Sequence, residues 1–257
     1  MGVLEGILAA KRAALPELRA RRLGDAPERR PVALARKPGE PLRLIAEIKR
    51  RSPSAGALST RLSVEERARA YERGGASMIS VLCDERFFDG AFEHLAQARG
   101  ACSLPLLCKD FVIDPVQLDL ARAHGADAVL LIVRCLEQPA LQALIGAAHE
   151  RGLVPFVEIA SEDEARRAVD AGADLVGVNA RDLDTLEMDA RRAERVLEVL
   201  PTGTTRVHLS GLSKPEHIAG ILRSGVDAAL IGEALMRQDD PEPALRALVA
   251  AAEGNDA

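Results

Sequence analysis

The stretch Gly125-Ala-Asp-Ala-Val-Leu-Leu-Ile132 decides the fold. It joins a glycine, able to take the left-handed backbone that closes a helix, to a short run of apolar, strand-forming residues. The same punctuation recurs at Gly75-Ala-Ser, Gly172-Ala-Asp and Gly225-Val-Asp. Working outward from it, strands are expected near Leu42–Ile48, Ser77–Leu82, Pro105–Lys109, Asp127–Val133, Val154–Glu158, Asp174–Asn179, Arg206–Ser210 and Asp227–Ile231. The spacing leaves room for a helix and two loops between successive strands. Ser63-Val-Glu-Glu66 and Ser161-Glu-Asp-Glu164 read as capping boxes, and Asp114-Pro115 and Asp240-Pro241 as an N-cap followed by proline at the first helical position. Strands apolar on both faces imply a parallel sheet covered by helices. Eight such units predict an α/β fold of the (β/α)8 TIM-barrel type. An open doubly wound sheet would usually carry a Gly-x-Gly-x-x-Gly turn after its first strand, and none is present.

One domain is expected over 1–257, with an N-terminal helical extension over 1–40 and the barrel over 41–257. Within the extension, Gly2 to Arg22 reads as a basic amphipathic helix and Gly24 to Glu40 as a Pro- and Arg-rich connector. Arg19, Arg21, Arg22, Arg29 and Arg30 are expected on a solvated face rather than against an anionic partner.

The 257 residues hold only five Phe, one Tyr and no Trp, so the core must be aliphatic and stacking platforms for single-stranded nucleic acid are lacking. A net charge of −5 disfavours a broad footprint on nucleic acid or anionic membrane. Glu5 interrupts any apolar leader, and no apolar run approaches the ~18 residues that cross a bilayer. Cys83, Cys102, Cys108 and Cys135 form no C-x-x-C pair and suit reduced core thiols in a cytoplasm. His94, His124, His149 and His217 are expected at helix surfaces, with no metal-ligand spacing among them. Neither a metal nor a cofactor is expected.

Barrel enzymes place their chemistry where strands run out at the C-terminal face. Glu47 and Lys49 close the first strand, two residues apart and so on one face. Lys109 ends the third strand and Glu158 the fifth; Asn179 and Arg181 follow the sixth. Two lysines and two glutamates on one rim can compensate one another's burial, and such groups have perturbed pKa values. Ser210-Gly211 after the seventh strand and Gly232-Glu233 after the eighth offer small residues where backbone N–H groups can approach a phosphate. A phosphorylated small molecule is therefore the expected ligand.

These residues, in this order, resemble the indole-3-glycerol phosphate synthase family. The matching stretches are Ile45-Ala-Glu-Ile-Lys-Arg-Arg-Ser-Pro-Ser54, Ile79-Ser-Val-Leu82, Phe88-Asp-Gly90, Leu107-Cys-Lys-Asp-Phe111, Ala126-Asp-Ala-Val-Leu-Leu-Ile132, Val157-Glu158, Gly177-Val-Asn-Ala-Arg-Asp-Leu183, Ser210-Gly211 and Leu230-Ile-Gly232. The resemblance implies ring closure with decarboxylation and dehydration of 1-(2-carboxyphenylamino)-1-deoxyribulose 5-phosphate, a carboxy-lyase step of tryptophan biosynthesis. It implies Lys109 as general acid on the ketone, Glu158 as general base for dehydration, Lys49 pairing with substrate anions, and Glu47 orienting the lysines. Ser52, Pro53, Asn179 and Arg181 would contact the anthranilate end, with Phe88, Leu131 and Leu183 lining an apolar pocket. Ser210, Gly211, Gly232 and Glu233 would hold phosphate, Glu233 through its backbone N–H alone, since its carboxylate would repel the anion.

One position departs from the family pattern. Strand seven usually ends Ala-Glu-Ser-Gly, whereas His208-Leu209-Ser210-Gly211 stands here. Leu209 replaces a glutamate near the substrate's anilino nitrogen, and alternation should turn His208 toward the helices. Beside a working synthase, two alternatives follow: a relative with altered substrate or reduced activity, or a non-catalytic phosphosugar-binding barrel. A monomer or weak homo-oligomer is expected.

Overall fold

The computed structural model describes residues 2–53, 55–181 and 188–254. Eight parallel strands close into a barrel: β1 (Arg43–Ile48), β4 (Met78–Leu82), β5 (Leu106–Lys109), β6 (Ala128–Ile132), β7 (Val154–Ile159), β8 (Leu175–Val178), β9 (Thr205–His208) and β10 (Ala228–Ile231). The last strand pairs back onto the first, with Ile45 opposite Leu230, which abolishes any free edge. A two-stranded hairpin, β2 (Arg51–Ser52) with β3 (Gly56–Ala57), stands on the loop after β1.

Strand alternation divides the apolar residues into two layers. Ile45, Met78, Leu107, Leu130, Phe156, Val207, Leu209 and Leu230 fill the barrel interior. Leu44, Ile79, Cys108, Val129, Leu131, Val157 and Ile231 face outward, into the helical ring. That ring comprises α2 (Val64–Arg73), α4 (Phe92–Ala101), α5 (Pro115–Ala123), α6 (Gln138–Glu150), α7 (Glu162–Asp170), α8 (Ala190–Glu198), α9 (Pro215–Ile221) and α11 (Pro241–Ala252). The expected helix-closing glycines Gly75, Gly125, Gly172 and Gly225 all have positive φ, between 74° and 97°.

Caps form largely where the sequence places them. Ser63 and Glu66 complete a capping box, Asp114 caps α5 and Asp240 caps α11. Ser161 forms only half of one: its hydroxyl accepts from the Glu164 N–H. The Glu164 carboxylate is drawn away, accepting from the Ala160 N–H at 2.6 Å and pairing with Arg134 at 3.0 Å. Two histidines depart from the surface expectation: His94 is buried, and His124 is half-buried, its Nδ1 2.8 Å from the Leu120 carbonyl.

The N-terminal segment closes both ends of the barrel. α1 (Val3–Ala20) lies over the C-terminal mouth, with Leu4 and Ile7 buried against the interior layer. The connector crosses the opposite end and plugs it with Leu34. There the Arg30 N–H donates to Asp127 and the Arg36 N–H to Asp227, while Arg30 and Arg36 side chains donate to the Leu104 and Val226 carbonyls. In the Gly125 and Gly225 repeats, Gly-x-Asp thus serves twice, its glycine ending a helix and its aspartate anchoring the strap. Arg19 and Arg29 are exposed, as expected, although Arg19 also pairs with Asp114 at 2.6 Å and Arg29 donates to the Gly152 carbonyl; Arg30 departs from the expectation, half-buried with its side chain tied to the barrel floor.

Candidate active site

A cavity of about 490 Å³ opens at the C-terminal mouth beneath α1, within the range of small-ligand sites. Glu47, penultimate in β1 and 2% exposed, lies at its charged end. Its carboxylate is 2.6 Å from Lys49 Nζ and 3.8 Å from Lys109 Nζ, and Lys109 is also 4.0 Å from Glu158. Burial pushes the Glu47 pKa up, but the two ammonium groups outweigh it and hold the carboxyl below its usual range. Burial pulls Lys109 down, yet Glu47 and Glu158 leave it above the ordinary lysine value. Lys109 therefore carries its proton at neutral pH, facing the cavity as a loaded donor.

The opposite carboxylate is oriented by a relay. Asn179 donates from Nδ2 to Glu158 at 2.9 Å, and Ser210 donates to the Asn179 Oδ1 at 2.8 Å. The Arg181 N–H donates to the same Oδ1 at 3.0 Å. With its oxygen accepting from two donors, Asn179 must present its amide to Glu158. Three successive strand ends are thereby locked in one hydrogen-bonded chain.

Ser52, Pro53, Phe88, Asn179, Arg181, Ser210, Gly211, Gly232 and Glu233 all line this cavity, beside Glu47, Lys49, Lys109 and Glu158. Phe88 packs on Phe111 with ring centroids 6.0 Å apart. It ends a short helix, α3 (Glu85–Phe88), and is followed by Asp89 in the left-handed conformation. Gly90 comes next because a Cβ there would lie 2.4 Å from the Leu82 carbonyl oxygen. The Phe-Asp-Gly run is thus the turn that brings Phe88 back over the mouth.

Leu131 is not a pocket residue. Alternation in β6 sends it outward into the helical layer, and Leu130 and Ile132 line the cavity in its place. Leu183 and Ser54 lie outside the described residues. Gly232 has a second reason to be glycine, since a Cβ there would lie 2.5 Å from a Glu47 carboxylate oxygen. Glu233 opens the short helix α10 (Glu233–Met236), and its carboxylate pairs with Arg237 at 2.7 Å. Val207 and Leu209 face the interior and His208 the helices, as alternation requires.

Sequence reasoning missed an ionic cluster at the edge of the mouth. Lys11 of α1 reaches Asp84 at 3.0 Å and Asp110 at 2.5 Å, both aspartates almost wholly buried. The signal was present in Leu4, Ile7 and Lys11, spaced by three and four residues on one helix face. Arg237, Phe111 and the α1 residues Val3, Leu4 and Ile7 also line the cavity without having been expected there.

Among solved structures, the fold matches 3-hexulose-6-phosphate synthase from Salmonella typhimurium (TM-score 0.66, 16% identity, 82% of this chain and 98% of that one). It also matches thiamine phosphate pyrophosphorylase from Pyrococcus furiosus (TM-score 0.64, 20% identity, 83% and 96%). At such identities the likeness concerns the barrel alone. Sequence relatives are closer. The chain is 46% identical over 242 residues to indole-3-glycerol phosphate synthase 1 of Streptomyces coelicolor, covering 94% of this chain and 89% of that protein. It is 44% identical over 254 residues to indole-3-glycerol phosphate synthase of Mycobacterium avium, covering 97% and 93%. The family profile described as indole-3-glycerol phosphate synthase matches residues 4–248, and by that span the chain belongs to the indole-3-glycerol phosphate synthase family.

Proposed function

We propose that this chain closes the indole ring of 1-(2-carboxyphenylamino)-1-deoxyribulose 5-phosphate, releasing carbon dioxide and water to leave indole-3-glycerol phosphate. The observation that carries the reading is the pair of ammonium groups held by Glu47 and Glu158 in a cavity that also contains Ser210-Gly211 and Gly232-Glu233. Small residues let backbone N–H groups approach a phosphate there, and Glu233, turned to Arg237, keeps its own charge aside. Lys49 and Arg181 supply cations for the anthranilate carboxylate, with Ser52 and Pro53 beside it. Phe88, Leu130 and Ile132 form an apolar wall for the ring.

In this pose Lys109 gives its proton to the ketone oxygen as the ring carbon bearing the carboxylate attacks the carbonyl carbon. The carboxyl group leaves as carbon dioxide, and its bonding electrons restore the aromatic ring. The new hydroxyl then takes a proton from Lys49, the second ammonium that Glu47 holds, and departs as water, while Glu158, aimed by Asn179, accepts the proton lost in forming the indole double bond. General acid and base groups so placed typically contribute ~10²–10⁴-fold each.

The scattered exposed apolar residues Val3, Leu23, Val169, Met188 and Val199 sit on different segments, which favours a monomer or weak homo-oligomer. Among the described residues no helix is long and apolar enough to cross a membrane, and action in the cytoplasm fits the thiol-bearing cysteines. Leu209 favours a second reading, a relative with altered substrate, because it adds to the apolar lining where the family pattern has a carboxylate. Incubation with the substrate while following indole fluorescence separates the two, since a chain without Trp is nearly dark in that channel. A rising indole signal is expected. Substrate binding without that signal would overturn the synthase reading in favour of the second.

A further inference from the structure

Beneath the mouth, α2 buries two polar side chains for which the reaction above has no use. Arg67 is 1% exposed and Tyr71, one helical turn later, is fully buried. The guanidinium donates from Nη1 to the Leu235 carbonyl of α10 at 3.1 Å. The guanidinium lies beside the Tyr71 hydroxyl, its Nε and Nη2 make no well-formed hydrogen bond, and no carboxylate pairs with it, among the described residues. The Tyr71 hydroxyl donates to the Glu47 backbone carbonyl at 3.1 Å and lies 3.6 Å from Met236 Sδ. Burial pushes the tyrosine hydroxyl above its ordinary range against the pull of the Arg67 charge, so it stays a neutral donor.

One helix face therefore grips two backbones at once. One belongs to Glu47, whose carboxylate gathers both lysines; the other belongs to α10, which follows Gly232 directly. A buried guanidinium without a carboxylate costs stability that an apolar side chain of similar volume would not. Departures of this kind from packing economy are expected where function depends on them.

We propose that Arg67 and Tyr71 are positioning residues: Arg67 fixes α10 and supplies positive charge behind the phosphate end, and Tyr71 fixes the Glu47 backbone at the lysine end. The proposal rests on the reading of this cavity as the site of a phosphorylated substrate. No approaching anion need touch Arg67, since a charge acts across several ångströms of low-dielectric interior.

Steady-state kinetics on Arg67→Met, Arg67→Lys and Tyr71→Phe test it. Arg67→Met is expected to raise KM on the order of tenfold and to change kcat less, and Arg67→Lys to recover most of that loss. Tyr71→Phe keeps the packed ring and should lower kcat about two- to tenfold with KM nearly constant, the effect of one lost hydrogen bond. KM within twofold of wild type in Arg67→Met, equal impairment in Arg67→Lys, or a wild-type kcat in Tyr71→Phe would overturn the assignment. If Arg67→Met does not fold, Arg67→Gln, which keeps a donor and loses the charge, takes its place. Should the wild type make no indole, the functional reading fails by itself. Calorimetric titration with inorganic phosphate then decides the Arg67 part: weaker binding in Arg67→Met but not in Arg67→Lys supports it, and equal binding in all three overturns it.

Discussion

Replacing Lys11 by methionine keeps the length and apolar stem of the side chain and deletes one charge. In the native protein that ammonium lies 3.0 Å from Asp84 and 2.5 Å from Asp110, whose side chains are 3% and 1% exposed. Burial pulls its pKa down, but the two carboxylates outweigh burial and hold it above the usual lysine range. A folded-state pKa raised in this way stabilises fully below the unfolded lysine value of ~10.5 and is lost only as pH rises through the folded value. The contribution is therefore flat from pH 6 to 9. Breaking a buried ion pair by removing one partner costs ~3–5 kcal/mol, because the remaining charge stays buried and unpaired. At ~2–4 °C per kcal/mol for a chain of this size, the melting temperature should fall by about 6–20 °C. If α1 peels away first, the cost is limited to its docking energy, and the helix becomes a protease target while KM rises, since Leu4 and Ile7 roof the cavity. The assay is a thermal melt paired with limited proteolysis of Lys11→Met, Asp110→Asn and the double variant. The double variant should regain at least ~1 kcal/mol relative to additivity. A melting temperature within 2 °C of wild type, with unchanged proteolysis, would refute the reasoning.

Three further outcomes are expected. Lys109→Ala should cut kcat by ~10²–10⁴-fold, whereas Lys49→Ala should raise KM more than it lowers kcat; retention of more than about a tenth of kcat in Lys109→Ala would show the acid to be elsewhere. Gly232→Ala should lower kcat by roughly tenfold or more while the fold persists by circular dichroism, because its Cβ would lie 2.5 Å from the Glu47 carboxylate that two lysines clamp. Leu209→Glu should raise kcat/KM by about tenfold through a charge-assisted hydrogen bond and lower the melting temperature by a few degrees; reduced activity on the usual substrate would instead favour a reshaped pocket.

The barrel was legible because its signals are local and repeat. Gly125-Ala-Asp followed by an apolar run states a helix end and a strand start within eight residues, and the chain says it again at Gly75, Gly172 and Gly225. Rim charges were legible for a related reason: a lysine or glutamate closing an apolar strand can only face the mouth or break the sheet. Leu131 was misread because resemblance gives a neighbourhood, while a one-residue step in a strand reverses the face. Lys11 escaped notice because its partners, Asp84 and Asp110, are distant in sequence and each is unremarkable alone. The strap over the barrel floor was hidden likewise, since a Pro- and Arg-rich stretch looks like a linker until its backbone N–H groups meet Asp127 and Asp227.

Charge balance at the mouth gives Leu209 a physical meaning. Glu47 and Glu158 offset Lys49 and Lys109, so these four groups sum to zero before substrate arrives. A third carboxylate at position 209 would make the set negative, and a ligand carrying both phosphate and carboxylate would approach against that charge. Leucine removes this repulsion and packs over Gly177, where an added Cβ would run into both Leu209 and Phe156. What it gives up is an acceptor for positive charge developing on the anilino nitrogen as the ring carbon attacks. Interactions present only in the transition state raise kcat, whereas those equal in ground and transition states act on KM. On the proposed function, the exchange of glutamate for leucine is expected to give tighter binding and slower chemistry, and it leaves the Ser210–Asn179–Glu158 relay one residue further along intact.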